Sequence, residues 1–173
     1  MKGPLSQKNI VLGVTGSIAC YKGLDLASKL IQCGYFVEVM MTKSSMLFLS
    51  PLSFKSITHS DVVTDPFDPK SNQSINHVAL AENADAIIVA PATANSIAKI
   101  AYGLSNDALG MTILATKAPV IVAPAMDGNM FNNPATQENI AKLISRGIFV
   151  AGPAEGRLAS GSVSYTHLRA HET

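Results

Sequence analysis

The sequence predicts an α/β protein built on a doubly wound parallel sheet, a three-layer arrangement with helices on both faces. Short apolar runs rich in β-branched residues alternate with helical patterns along the chain, and continuously apolar strands are typical of sheets buried on both faces. The chain has 173 residues, of which 47% are hydrophobic and only 14% charged, which suits one domain with a large core. We therefore expect a single folded domain over residues 1–162.

The first predicted elements are two strands joined by a helix. Residues 9–16 (NIVLGVTG) form a strand, and residues 17–34 form a helix that ends at Gly34, because glycine is favoured just past a helix end. Residues 35–42 form the next strand. The segment that follows is less regular, and residues 55–76, rich in Asp, Pro and Ser, are expected to form a long irregular loop.

The rest of the chain continues the alternation. The predicted helices are 75–84, 93–103, 106–116 and 134–147, and the predicted strands are 85–90, 118–126 and 148–152. Pro134 at the start and Gly147 at the end support the last helix. Strands separated by helices imply a parallel sheet.

Charge and composition narrow the classes of partner. The formal net charge is +1 and no basic run occurs, so we expect neither nucleic acid nor an anionic membrane as a partner. No signal-peptide pattern and no apolar run of ~20 residues occurs, so we expect a cytoplasmic protein. Cys20 and Cys33 lack metal-ligand spacing and are expected to be buried thiols, with no metal site. Low charge leaves open whether apolar surface is covered in a homo-oligomer.

Two strands that break into loops of small residues point most directly to a ligand. They lie in the segments 91–109 (PATANSIAKIAYGLSNDAL) and 120–130 (VIVAPAMDGNM). Open α/β sheets bind their ligands at such strand ends. The first loop offers the hydroxyls of Thr93 and Ser96 and the amide of Asn95, and its alanines let a flat ligand approach the backbone. This composition favours a phosphorylated aromatic cofactor.

A second candidate loop lies in residues 13–22 (GVTGSIACYK), where a strand passes through Gly16 into a helix opening at Ser17. Backbone amides at a helix start bind phosphate well, although the same pattern also occurs as an ordinary strand-to-helix turn without a ligand. The loop is not a Walker loop and lacks the full GxGxxG spacing, so a mononucleotide fits better than NAD or ATP. Thr42, at the end of the neighbouring strand, is a further candidate contact.

The histidines allow two interpretations each. His77 precedes the strand that leads into the 91–109 segment, and it is either a structural residue at a helix start or a general base or substrate-orienting group. The last eleven residues, 163–173, break the preceding pattern and continue no recognisable strand or helix. His167 and His171 there are spaced as a helical metal pair, but we expect a frayed or foreign end instead.

Five motifs in order carry a family resemblance. They are GSIA at 16–19, His77 within INHVAL, PATANSIAKIAYG at 91–103, PAM at 124–126 followed by NMFNNPAT, and GRLASG at 156–161. Residues 8–162 resemble the flavin-containing cysteine decarboxylases, most closely the branch that acts on phosphopantothenoylcysteine in coenzyme A biosynthesis. The resemblance implies a flavodoxin-like, Rossmann-like fold that binds FMN and assembles as homotrimers or larger homo-oligomers with sites at subunit contacts.

The resemblance also implies roles for individual residues. The FMN-binding positions are Gly16, Ser17, Ile18, Thr42, Thr93, Ala94, Asn95, Ser96 and Ala125. His77 matches the essential histidine, and Met126 and Asp127 lie at the substrate-binding motif. The implied reaction converts 4'-phosphopantothenoylcysteine to 4'-phosphopantetheine by thiol oxidation, loss of carbon dioxide and reduction of the enethiolate. In many bacteria such a domain is fused to a CTP-dependent synthetase, which this chain does not contain, so we expect a truncated copy.

Two positions depart from the family pattern. Asp127 stands where the family has an asparagine that binds the substrate carboxylate, and an ionised Asp127 would repel that group, whereas a protonated one could donate to it. Ser160 stands where the family has a proton-donating cysteine, and a hydroxyl is a far weaker acid than a thiol. These departures keep alternatives open: a non-catalytic FMN-binding oligomerisation or regulatory module, a peptidyl-cysteine decarboxylase, or a flavin prenyltransferase.

Overall fold

The computed structural model describes residues 7–65, 76–152, 155–157 and 163–165. Its strands are β1 (Asn9–Val14), β2 (Phe36–Met41), β3 (Ala86–Ala92), β4 (Val120–Pro124), β5 (Met126–Asp127), β6 (Phe149–Val150), β7 (Glu155–Arg157) and β8 (Val163–Tyr165). Its helices are α1 (Cys20–Gln32), α2 (Pro51–Thr58), α3 (Asn76–Asn83), α4 (Ala94–Tyr102), α5 (Ala108–Ala115), α6 (Gly128–Asn132) and α7 (Pro134–Ser145), with a short 3-10 turn at Ser45–Leu47.

The central sheet has five parallel strands in the order β2-β1-β3-β4-β6. Side chains alternate between its faces, as the strand geometry requires. Val11 joins the apolar layer under α3, α4, α5 and α7, whereas the next residue, Leu12, joins the layer under α1 and α2. Both side chains are fully buried. The predicted three-layer α/β fold is therefore confirmed, and two buried faces explain why the strands are continuously apolar.

One helix, α1, begins later than the sequence predicts, and two helices, α2 and α6, were not predicted. α1 begins at Cys20 rather than at residue 17, because the backbone forms a turn in which the Cys20 N–H donates to the Ser17 carbonyl oxygen at 3.0 Å. The segment after β2 contains α2, which the sequence prediction missed. Ser50 caps it by accepting the Leu52 N–H at 3.2 Å, and Pro51 occupies its first position. The prediction also missed the five-residue helix α6.

The expected irregular region, 55–76, is more ordered than predicted in its first part. It begins within α2, and Val63 pairs in parallel with Met40 at the edge of the sheet. Residues 66–75 lie outside the described part of the chain.

The predicted strand 118–126 is divided in two. β4 ends at Pro124, and β5 joins a small antiparallel sheet in the order β5-β8-β7. Because β8 is Val163–Tyr165, the expectation that the last eleven residues continue no strand is wrong for the first three of them; Val and Tyr both favour strands. His167 and His171 lie outside the described residues.

The two cysteines differ in their surroundings. Cys20 is buried as expected, its thiol donates to the Thr15 carbonyl oxygen at 3.3 Å, and burial raises its pKa. Cys33 is exposed, so the expectation of a buried thiol is wrong there, because it lies just past the last turn of α1.

Among the described residues, there is no group of three or more His, Cys, Asp or Glu side chains that could hold a metal ion. No helix in that part of the chain has the length and apolar character to cross a membrane.

Candidate functional site

The strand order places a crevice at the carboxyl-terminal ends of β1 and β3. These strands are neighbours, but the chain leaves β1 towards β2 on one side and leaves β3 towards β4 on the other. In doubly wound sheets ligands bind where the order reverses in this way. We call the carboxyl-terminal ends of the strands the carboxyl edge and their beginnings the amino edge. The loops after β1, β2 and β3 all lie at the carboxyl edge.

Thr15 joins two of these loops, and sequence reasoning missed it. Its side chain is fully buried. The hydroxyl donates to the Pro91 carbonyl oxygen at 2.7 Å and accepts the Thr93 N–H at 3.0 Å. The only signal in the sequence is a threonine within GVTGS, which does not reveal partners 76 and 78 residues away.

The loop after β1 leaves backbone donors available. No hydrogen bond between described residues uses the N–H groups of Gly16, Ser17 or Ile18. They precede the amino terminus of α1, where the helix dipole favours an anion. A side chain at Gly16 would overlap Ser44, since an added Cβ would meet the Ser44 carbonyl carbon at 2.9 Å. The glycine therefore allows the loops after β1 and β2 to lie against each other.

The loop after β3 forms the amino terminus of α4. Thr93 caps this helix, with its hydroxyl accepting the Ser96 N–H at 3.3 Å and lying 3.1 Å from the Ser96 hydroxyl. Ser96 is buried, Ala94 is half-buried and Asn95 is exposed. The first amides of a helix have no partner within the helix. This loop thus offers backbone donors beside the hydroxyls that the sequence singled out.

The loop after β2 completes one wall of an open cleft. Thr42 donates its N–H to the Val14 carbonyl oxygen at 3.1 Å, and its hydroxyl lies 3.2 Å from that of Ser44. The cleft measures about 480 Å³, and its lining includes Thr42, Lys43, Ser44, Asn95, Ser96, Lys99 and Asp107. Lys99 and Asp107 form a half-buried ion pair at 3.1 Å. The structure therefore brings three of the predicted binding residues, Thr42, Asn95 and Ser96, into one cleft.

The end of β4 lies beside the same loops. The Ala125 N–H donates to the Ala92 carbonyl oxygen at 2.9 Å, and both Ala125 and Met126 are buried. Asp127 is half-buried and caps α6 by accepting the Asn129 N–H at 2.8 Å. One carboxylate oxygen is therefore already used in the protein. Asparagine could form the same cap.

His77 lies in the first turn of α3. This helix leads into the start of β3, so its first turn is the end nearer to the carboxyl edge. The Nδ1 atom of His77 is buried and has no hydrogen-bond partner among the described residues. Such a group is costly unless a ligand or partner satisfies it. His77 does not line the 480 Å³ cleft within this chain.

The chemistry of these groups fits a phosphorylated cofactor. The segments that open α1 and α4 are joined through Thr15 and offer hydrogen-bond donors to an anion. Gly16, Ser17 and Ile18 are not among the residues that line the neighbouring cleft, whose volume falls within the usual range for small-molecule sites. The binding roles of the individual residues stay predictions. Ser160 lies outside the described residues.

Comparison with characterised proteins identifies relatives along most of the chain. The coenzyme A biosynthesis bifunctional protein CoaBC of Bacillus subtilis (strain 168) is 45% identical over 168 residues, which cover 97% of this chain and 41% of the relative. CoaBC of Escherichia coli (strain K12) is 42% identical over 159 residues, covering 92% of this chain and 39% of the relative. This chain therefore spans about two fifths of the length of these relatives.

Solved structures share the fold. The FMN-dependent cysteine decarboxylase SpaF matches with a TM-score of 0.80 and 30% identity over 92% of this chain and 91% of that chain. A PPC decarboxylase mutant complexed with pantothenoylaminoethenethiol matches with a TM-score of 0.80 and 33% identity, covering 92% and 90% of the two chains. The peptidyl-cysteine decarboxylase EpiD has a TM-score of 0.79 and 27% identity, covering 92% of each. Residues 1–170 match the flavoprotein family, and the chain therefore belongs to this family.

Proposed function

We propose that this protein is an FMN-dependent carboxy-lyase that converts 4'-phosphopantothenoylcysteine to 4'-phosphopantetheine in coenzyme A biosynthesis. One observation carries the proposal: three donor-rich loops meet at the carboxyl edge, where the Thr15 hydroxyl joins the loops after β1 and β3 and Gly16 lies against Ser44 of the loop after β2. The relatives named as coenzyme A biosynthesis proteins and the PPC decarboxylase structure support the choice of substrate.

In this proposal the loops hold FMN through its phosphate and ribityl chain. The amides of Gly16, Ser17 and Ile18 and the first turn of α4 would supply donors to the phosphate, and Thr42 and Asn95 would hold the ribityl chain. Ala125, which is buried at the end of β4, would lie near the flavin ring. The chemistry that bound FMN supplies is two-electron oxidation of the substrate's cysteine side chain, with return of the electrons after carbon dioxide leaves.

The substrate-facing roles fall to His77, Met126 and Asp127. The buried Nδ1 of His77 is proposed to hold or accept a proton from the substrate. Asp127, at the position of the family asparagine, keeps one oxygen on the α6 cap, which leaves the other oxygen for the substrate. Ser160 is proposed to stand at the proton-donating position, with water supplying the proton.

We also propose that the chain works as a homotrimer or a larger homo-oligomer. Large apolar side chains are exposed beside the candidate site: Ile18 is 58% exposed, Leu47 86% and Leu52 67%. A patch of this kind marks an interaction surface, and a second copy that covers it would also enclose the site. Sedimentation velocity on the purified chain tests this, and a monomer at micromolar concentration contradicts it.

A cytoplasmic location is part of the proposal, because the relatives act in bacterial coenzyme A biosynthesis. The fused synthetase domain also stays a prediction. It rests on the word bifunctional in the names of the relatives, which are more than twice as long as this chain.

Anaerobic mixing of FMN-loaded protein with 4'-phosphopantothenoylcysteine tests the reaction. Flavin absorbance and released carbon dioxide are followed together. We expect release of carbon dioxide with the flavin returning to its oxidised spectrum. Carbon dioxide released while the flavin stays bleached locates a defect in the final protonation, at the position of Ser160. Bound FMN with no carbon dioxide contradicts the proposed reaction and favours a non-catalytic module.

A peptidyl-cysteine decarboxylase is the second candidate, because EpiD shares the fold. A peptide ending in cysteine replaces the small substrate in the same assay. Turnover of the peptide but not of 4'-phosphopantothenoylcysteine would reverse the assignment.

A further inference from the structure

We propose that Thr15 is a positioning residue: its buried hydroxyl sets the spacing between the loop after β1 and the first turn of α4, and thereby shapes the phosphate-binding site. This inference rests on the proposed binding of FMN. Thr15 acts through its neighbours, because none of its polar groups is left for a ligand.

The hydrogen bonds of Thr15 account for every polar atom of the residue. The hydroxyl donates to the Pro91 carbonyl oxygen at 2.7 Å and accepts the Thr93 N–H at 3.0 Å. The Thr15 N–H donates to the same Pro91 oxygen at 3.2 Å, and the Thr15 carbonyl oxygen accepts the Cys20 thiol at 3.3 Å. The side chain is 0% exposed.

The hydroxyl lies where the backbone ladder between the two strands has ended. The last paired residues of β1 and β3 are Gly13 and Val89. Beyond them the chains diverge towards different neighbours, as they must at the point where the strand order reverses. The hydroxyl thus reinforces a link between two loops that, beyond the ladder, share one backbone hydrogen bond among the described residues, from the Thr15 N–H to the Pro91 carbonyl oxygen.

Both ends of this link lead directly to groups proposed to bind phosphate. Gly16 and Ser17, whose N–H groups have no partner among the residues that the structure describes, follow Thr15 immediately. On the other side Thr93 caps α4 and contacts Ser96. A change in the Thr15 hydroxyl therefore alters the distance between two sets of donors that must converge on one phosphate. Catalytic and binding sites tolerate little error in such distances.

Substitution at Thr15 tests this proposal in the full chain, with and without added FMN. Thr15→Val keeps the shape and removes both side-chain hydrogen bonds, Thr15→Ala is a second variant without the hydroxyl, and Thr15→Ser retains the hydroxyl. Thr58→Val is the matched control. Thr58 is also buried, and its hydroxyl donates to the Phe54 carbonyl oxygen at 3.1 Å and accepts the Ser60 N–H at 3.3 Å, at the far end of α2.

Two readouts are measured: the FMN dissociation constant from flavin fluorescence, and hydrogen exchange of the Thr93 amide in the flavin-free chain. We expect Thr15→Val and Thr15→Ala to weaken FMN binding roughly tenfold to hundredfold and to accelerate exchange at Thr93. Thr15→Ser is expected to stay within about threefold of the wild type. Thr58→Val should lower the melting temperature while leaving both readouts unchanged.

If Thr15→Val has the same exchange rate at the Thr93 amide and the same FMN affinity as the wild type, the inference is overturned. The same holds if Thr58→Val weakens FMN binding as much as Thr15→Val, because the effect is then one of general stability. If the wild-type chain binds no FMN, the proposed function fails. Exchange at Thr93 in the flavin-free chain still decides whether the hydroxyl holds the two loops together.

Discussion

The two edges of the central sheet carry clefts of nearly equal size but different chemistry. The cleft at the carboxyl edge measures about 480 Å³, and its lining includes the hydroxyls of Thr42, Ser44 and Ser96 and the Lys99–Asp107 ion pair. The cleft at the amino edge measures about 490 Å³, and its lining includes Thr116, Lys117 and Arg146 together with apolar side chains such as Ile113 and Phe149. Cavity volume therefore does not distinguish the candidate site from the opposite edge.

The difference lies in the direction of the helices. The amino termini of α1 and α4 meet at the carboxyl edge and present N–H groups. The amino-edge cleft lies where α5 and α7 end, and helix carboxyl termini present carbonyl oxygens that favour cations. Arg146 donates to the Ala101 carbonyl oxygen, near the end of α4, at 2.6 Å. Its charge thus serves the fold at an edge where helix carboxyl termini meet.

The largest effect is expected on the rate of decarboxylation, from a substitution of His77. His77→Asn should lower the rate of decarboxylation about 100-fold or more, because a general base contributes on that order. His59→Asn is the matched control, since His59 is exposed at the end of α2 with φ of 56°, a conformation that asparagine accepts. Turnover rates and FMN affinity of both variants are measured. Equal rates for His77→Asn and the wild type would remove His77 from the mechanism.

The next largest effect is expected on FMN affinity, from a glycine substitution in the loop after β1. Gly16→Ala should weaken FMN binding roughly tenfold to hundredfold, because the added methyl overlaps Ser44 and displaces the loop. Gly34→Ala, at the end of α1, should lower the melting temperature with FMN affinity unchanged, since Gly34 has φ of 87° and open space around it. Fluorescence titration and thermal melts compare the two. If Gly34→Ala is the variant that loses FMN, the carboxyl edge is not the binding site.

A smaller effect concerns the substrate. Asp127→Asn keeps the α6 cap, removes a negative charge and offers an N–H donor, so KM for 4'-phosphopantothenoylcysteine should fall about fivefold, the equivalent of about 1 kcal/mol. Asn133→Asp is the reverse exchange at the cap of α7, where Asn133 accepts the Ala135 N–H at 3.0 Å. It should leave KM unchanged. A higher KM in Asp127→Asn would show that the acid is the required residue.

The smallest effect is expected at the amino edge. Hydrogen bonds from the Asn9 N–H and the Lys8 ammonium lower the pKa of Asp85. A lowered pKa in the folded state stabilises the protein above the unfolded pKa of about 4, and the effect disappears as pH falls through the folded value. Asp85→Asn should therefore lower the melting temperature by about 1 °C at pH 7 and not at pH 2. Asp25→Asn, in an exposed pair with Lys29 on α1, should change little at either pH. A loss from Asp85→Asn that persists at pH 2 would contradict this origin.

Local sequence signals predicted most of the elements. Periodicity and capping chemistry act within a few residues, so Gly34 after α1, Pro134 at the start of α7 and Gly147 after its end were readable in advance. The missed helix α2 also has local signals, Ser50 and Pro51, but the apolar residues around them obscured the pattern. Cys33 was misjudged because a composition-based rule cannot tell which side of a helix end faces solvent.

The sequence by itself determined the alternation of buried strands and helices, and with it the three-layer fold and the loops at the strand ends, because these depend on short-range periodicity. Only the tertiary structure decided which groups meet at those loops. The link from Thr15 to Pro91 and Thr93, and the contact of Gly16 with Ser44, join residues far apart in the chain. The physical reason is that strand order brings the ends of β1, β2 and β3 together, and no local pattern encodes that order.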